Sequence, residues 1–353
     1  MRYLLLAALV AAALGYVAYY VVVLDGFEQG FATWVSERRS EGLEADYAGI
    51  ETHGFPFRVV ATLNRPALAA PTAPAAPAWR AERLAIVVQP WNLRHLILDL
   101  SGRGRISAEG GDERHRLDYA VDEGRASYQV DADGRLGRLS VELAEVVLRE
   151  AVDGLELFLA RGQLHTRPAG EKAVELALRL EKLAVDPARL APERRPLPAF
   201  GSEIALLAAE LTVKDLPPAG GGPAAWLAEW RDSGGSLELR RFKLTWGEVD
   251  IEADGTLALD EALRPIGALT ARVRGHAHLI DAATATGQMR ERDAKTAKSV
   301  LDILAKAGGG VLSVPLTLQD GLVSLGPIPV ARLAPLLPPG GQSPAPASPD
   351  RRQ

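Results

Sequence analysis

From residue 43 onward, apolar and polar residues alternate with a period of two, and this alternation constrains the fold more than any other feature of the chain. A period of two sends successive side chains to opposite faces of a strand, so each alternating run can bury only one face. The clearest run has Val249, Ile251, Ala253, Leu257 and Leu259 on one side and Glu248, Asp250, Glu252, Asp254 and Thr256 on the other. The next sets Leu269, Ala271, Val273, Ala277 and Leu279 against Thr270, Arg272, Arg274, His276 and His278, which carries a strand through 279. Val174, Leu176, Leu178 and Leu180 alternate with Glu175, Arg179 and Glu181. Similar runs recur near 84–88, 94–100, 115–131, 136–148, 155–165, 204–213, 237–246 and 311–325. Turn signals such as Asp-Gly at 133–134, 153–154, 254–255 and 320–321 punctuate the series. One-faced strands joined by short turns pair antiparallel. The expected class is mainly β (α+β): a large curved antiparallel sheet, or a sandwich or groove, of about a dozen strands.

The N-terminus follows a different rule. Leu4 to Leu24, LLLAALVAAALGYVAYYVVVL, is 21 residues without a charge, about 31 Å as a helix and long enough to cross a bilayer. Tyr16, Tyr19 and Tyr20 lie towards one end, where amphipathic rings favour the headgroup region. Arg2 precedes the run and Asp25 and Glu28 follow it, so the positive-inside bias places Arg2 in the cytoplasm and the rest outside. This predicts a single-pass inner (cytoplasmic) membrane protein with its C-terminal domain in the periplasm. A cleaved signal peptide and a buried core helix are the competing readings.

Phe27, Phe31, Trp34 and Val35 continue at helical spacing and predict a juxtamembrane stalk over 25–42, ended by Gly42. Two further amphipathic helices are expected as lids on the sheet. One, 223–234, carries Trp226, Leu227 and Trp230. The other, 292–310, carries Ala294, Ala297, Val300, Leu301 and Leu304. The Pro/Ala-rich stretch 65–79 reads as a mobile loop between strands, and the Pro-rich tail 335–353 as disordered. The domain plan is therefore an anchor (1–24), a stalk (25–42), one β-rich domain (43–334) and a tail.

The chain carries almost no signature of chemistry. The net charge of −5 without a basic block in the body of the chain argues against nucleic acid. The absence of cysteine excludes disulfides and thiolate chemistry. Among six histidines, only His276 and His278 have ligand-like spacing, and Arg272 and Arg274 on the same expected face disfavour a cation there. Glu248, Asp250, Glu252 and Asp254 form an acidic row, read either as hard-cation ligands or as a solvated face paired to Arg272 and Arg274. No nucleophile elbow, phosphate loop or dinucleotide fingerprint occurs. No catalytic, cofactor-binding or metal-ligating residue is expected, and no cofactor. Trp79, Trp91 and Trp246 read either as packing residues or as the lining of a carbohydrate or lipid site.

The stretch HGFPFR, 53–58, is the most specific local pattern. Pro56 lacks a backbone donor and belongs at an edge or bulge, and Gly54 frees the backbone before it. Phe55 and Phe57, two apart, are expected to share a face and cover one end of the apolar sheet where the stalk turns into the first long strand. Ligand contact is the alternative for these rings. With GLEADYAGIETHGFPFRVVATLNRPAL (42–68) in place after an aromatic stalk, the chain resembles the proteobacterial envelope family known as domain of unknown function 2125. The segments 79–100, 244–269 and 319–336 fit the same resemblance. It implies no catalytic residue. More remotely, the anchor-plus-β-groove plan is similar to AsmA-like envelope proteins, which are implicated in outer-membrane and lipid homeostasis.

The function expected is non-catalytic: binding of lipid or acyl chains in a β groove for envelope homeostasis. The alternative is a protein-interaction scaffold that uses edge strands for envelope assembly, with a closed core and no ligand. A hydrolase built on wet-face carboxylates or on His276 and His278 is a third reading.

Overall fold

In the computed structural model the alternating runs become strands, and every pairing between described strands is antiparallel. The structure describes residues 2–337 except 74–75, 111–112, 132–135, 151–153, 188–199, 219–222, 286–288, 308 and 326–327. The chain is therefore mainly β, and it packs as two compact units, Met1–Gln163 and Leu164–Gln353. Most of the tail expected to be disordered lies outside the described residues.

The first unit opens with helix α1 (Arg2–Ser40). Ten strands follow: β1 (Glu44–Asp46), β2 (Gly49–His53), β3 (Val59–Asn64), β4 (Ala67–Ala69), β5 (Ala78–Ala81), β6 (Arg83–Gln89), β7 (Asn92–Asp99), β8 (Gly102–Gly110), β9 (Glu113–Val130) and β10 (Leu136–Glu150). Two ladders, β2–β3–β6–β7 and β1–β4–β5–β8, converge on β9. That strand is long enough to serve both: residues 125–129 pair with β7 and 113–121 with β8. Its other edge pairs with β10.

Strand β11 (Glu156–Pro168) runs across the unit boundary. The second unit is a meander of β12 (Val174–Val185), β13 (Glu203–Lys214), β14 (Ser236–Trp246), β15 (Val249–Leu259), β16 (Pro265–Arg274), β17 (Leu312–Gln319), β18 (Leu322–Leu325) and β19 (Ile328–Arg332), each strand paired with the next. Helix α2 (Pro223–Asp232) sits between β13 and β14, and α3 (His276–Ala285) and α4 (Glu291–Ala307) between β16 and β17. Ala253, Ala271, Val273, Leu312 and Val314 form its core, closed by Ala305 and Leu301 of α4 and Leu279 of α3. The expected lid role holds for α4 through Leu301 and Ala305, but Val300 and Leu304, expected on the same stripe, are exposed.

Three expectations need correction. There are nineteen strands among the described residues instead of about a dozen, because pieces of three to five residues such as β1, β4 and β5 are too short to show alternation. One of those pieces, β4, and the start of another, β5, lie in the stretch 65–79 expected to be a mobile loop. Its ends form a hairpin, with Leu68 opposite Trp79. The strand expected through 279 stops at Arg274. Gly275 adopts φ +71°, and a Cβ there would lie 2.1 Å from the Glu248 carbonyl oxygen. Only glycine fits that turn, and the chain leaves it as α3 with Ile280 and Ala282 buried.

Helix α1 is also no free stalk. It runs unbroken from Arg2 to Ser40 and closes after Gly42, where the Leu43 amide reaches the Arg38 carbonyl and the Gly42 amide the Arg39 carbonyl. From Tyr20 on, one face packs onto the sheet. Tyr20 and Val23 are buried with Val59 and Val88, flanked by Leu24, Phe27 and Leu96. An apolar helical stripe needs a partner to bury against, and the sheet supplies it. Within Val10–Ser40, α1 contains a segment long and apolar enough to cross a membrane.

Candidate functional site

Where α1 crosses the first unit, two glycines stand in the packed face. Gly26 and Gly30 are one turn apart, and a Cβ at either would meet nothing within 4 Å. The space they leave is a groove of about 480 Å³. On the helix side it is walled by Phe27, Phe31, Trp34 and Val35. Leu63, Leu84, Ile86 and Leu96 from β3, β6 and β7 face them, with Leu68 and Trp79 from the β4–β5 hairpin. Asp46 is the one carboxylate of the lining, and Tyr47 adds a phenol. The volume suits a small-molecule site, and the lining suits an apolar ligand: little but hydrocarbon and ring faces would touch it.

The rings around the groove are held in place. Phe31 stacks on Trp34 with centroids 5.9 Å apart and meets Tyr47 edge-on at 5.5 Å. The Arg38 guanidinium lies 5.9 Å from the Trp34 centroid. The Trp79 indole N–H donates to the Tyr119 hydroxyl at 2.9 Å. Burial pushes the Tyr119 phenol up, and that hydrogen bond pulls partly against it.

On the sheet face opposite Trp79, the register gathers a different chemistry. Arg80 pairs with Arg105, Arg105 with Asp118, Asp118 with Arg149, and Ser107 with Arg116. With Arg65, Arg103 and Glu82 these residues line a concavity of about 970 Å³. Arg105 hydrogen-bonds Asp118 and holds its carboxyl below the usual range, with burial opposing. The result is a cationic face, most of whose arginines are solvated.

The residues singled out from sequence do not come together. Trp79 lines the groove. Trp91 stands exposed on the turn between β6 and β7. Trp246 belongs to the second unit, where it stacks on Phe200 at 4.7 Å and donates to the Gly201 carbonyl at 3.2 Å. Gly54, Phe55, Pro56 and Phe57 form the turn between β2 and β3 and do not cover the sheet. Gly54 sits at φ +110°, with the Arg58 carbonyl oxygen 2.6 Å from where a Cβ would be. That turn rotates both phenylalanines outward. Phe55 keeps contact with the Tyr20 ring at 5.0 Å and the Tyr16 ring at 6.4 Å, and Phe57 is 72% exposed.

His276 and His278 fall in the first turn of α3 instead of on a strand face, and His276 bonds the Asp302 carboxylate of α4 at 2.8 Å. The acidic row pairs across the sheet. Arg272 reaches Asp254 at 3.0 Å, and Lys243 reaches Glu252 at 3.2 Å. Among the described residues no three His, Asp or Glu side chains converge to hold a metal ion. The groove residues other than Trp79 were not legible as a site. The signal available was Gly26 and Gly30 at helical spacing among Phe27, Phe31 and Trp34, a gap cut into an otherwise aromatic face.

Compared with known proteins, residues 22–334 match the family model described as "uncharacterized protein conserved in bacteria", domain of unknown function 2125. No curated protein and no solved structure matches the chain.

Proposed function

The chain belongs to the domain of unknown function 2125 family, and from that premise we propose that it is a non-catalytic, membrane-anchored protein of the periplasmic side that binds an acyl chain beneath α1. The observation that carries this reading is the groove at Gly26 and Gly30. It is lined almost wholly by apolar and aromatic side chains, and formed on the same helix that provides the candidate membrane span. A lipid chain is the apolar ligand such a helix would meet first. The groove expected from sequence was whatever part of the apolar sheet face the two later helices leave uncovered; the one supporting this proposal lies under α1.

The test is uptake of a fluorescent fatty acid by the full chain in detergent. The native protein should bind saturably. Gly30→Leu, which places a side chain where nothing now stands, should weaken binding about tenfold or more with an unchanged circular dichroism spectrum. No saturable uptake by the native protein, or equal uptake by Gly30→Leu, overturns the reading.

A protein-interaction scaffold is the second reading, and one feature favours it. Val300, Ile303 and Leu304 lie exposed on α4 at helical spacing, above a second-unit core already filled by side chains. Loss of a stoichiometric cross-link to an envelope protein in Ile303→Ser, with fatty-acid uptake absent in the native chain, would favour it.

A further inference from the structure

We propose that the first unit docks onto the lipid surface through two aromatic turns, 54–57 and 90–93, beside the point where α1 enters the bilayer. This rests on the reading of α1 as the anchor.

Three hydrogen bonds fix both turns at one level of the helix. The Tyr16 hydroxyl donates to the Pro56 carbonyl, the Tyr20 hydroxyl to the Arg58 carbonyl at 3.0 Å, and the Tyr19 hydroxyl to the Pro90 carbonyl. Residues 16 to 20 span only about 6 Å of helix axis. At that level Phe55, Phe57, Trp91 and Leu93 are each more than half exposed. Water is a poor environment for four large apolar side chains on adjoining turns, and such a cluster marks an interaction surface.

The partner follows from what continues the surface. On the N-terminal side of Tyr16, residues 10–15 of α1 are exposed on the helix, and on the other side the helix packs on the sheet. Were all of Leu4–Leu24 in hydrocarbon, the backbone of both turns and the Arg58 guanidinium would be dragged in with it, at high cost. The bilayer surface is therefore placed at the three tyrosines, leaving Leu4–Tyr19, about 24 Å of helix, for the hydrocarbon. Tyrosine and tryptophan favour that boundary. Arg58, Arg94 and His53 are exposed next to the two turns, in position for lipid phosphates. The groove starts at Gly26, about 9 Å along the axis beyond Tyr20, so this seat would hold its helix wall close to the leaflet.

The native chain has no cysteine, so single labels are clean. Leu14→Cys, Phe57→Cys, Trp91→Cys and Thr72→Cys would each carry a bimane label in the full chain, reconstituted in phosphatidylethanolamine/phosphatidylglycerol vesicles doped with brominated phospholipid. Thr72 packs beside Gly42 at the far end of α1. Phe57, Trp91 and Thr72 are exposed, so these variants should fold. The proposal expects quenching at Phe57 and Trp91 at least about half as strong as at Leu14, as for groups resting at the headgroup–acyl boundary, with none at Thr72. Quenching at Leu14 alone overturns the docking and leaves the anchor standing. No quenching at Leu14 overturns the anchor and the docking together.

Discussion

Gly275 shows how much one residue decides. A methyl group there would press on the Glu248 carbonyl from 2.1 Å, at a backbone angle that disfavours any side chain. Gly275→Ala should destabilise the second unit by about 1–3 kcal/mol, read as a lower urea midpoint at unchanged slope. Glu175 is a second case. Its carboxylate accepts from Arg167 and, at 2.9 Å, from Arg240. The Arg167 bond is the larger cause holding it below the ordinary 4.5, burial opposes it, and Arg240 adds to it. A depressed native pKa stabilises above the unfolded value, and that stabilisation fades as pH falls through the native one. Glu175→Gln should therefore lower the urea midpoint at pH 7, and by progressively less as pH falls below the ordinary glutamate range. The acid and its partners were visible as letters, but only the fold brings Arg167 and Arg240 to the same carboxylate.

At the scale of elements, α1 carries the main lesson. Its helical spacing, continuity and end at Gly42 were legible, because periodicity and capping are local properties of the backbone. That it lies on β3, β6 and β7 instead of projecting was not legible, because the partners Val59 and Val88 are distant in sequence. Val59 is fully buried against this helix. Val59→Ala should cost about 1–3 kcal/mol and raise proteolytic cutting at Arg38 and Arg39 as the helix end loosens. The β4–β5 hairpin was missed for a related reason. Strands of three or four residues gain their order from neighbours, here β1 and β8, and show no alternation of their own.

For the whole molecule, the two compact units each contain a separate buried cluster. Separate cores predict unfolding in more than one step. Calorimetry of the full chain should resolve two transitions, and Gly275→Ala should shift only the one belonging to the second unit. A single transition that moves as a whole with Gly275→Ala would show that the units melt together.

Local patterning is enough to establish that the chain is mainly β, that its strands pair antiparallel with one face buried, and that its first helix is apolar enough to span a bilayer. Period-two alternation and an unbroken uncharged run act within a few residues, so their consequences can be read in place. Tertiary structure alone decided that Gly26 and Gly30 open a groove, that Phe57 and Trp91 point outward beside the tyrosines, and that residues 276–285 form a helix. Each depends on what a side chain or its absence meets across the fold, as where Gly275 meets Glu248 or Tyr16 meets Pro56, tens of residues away along the chain.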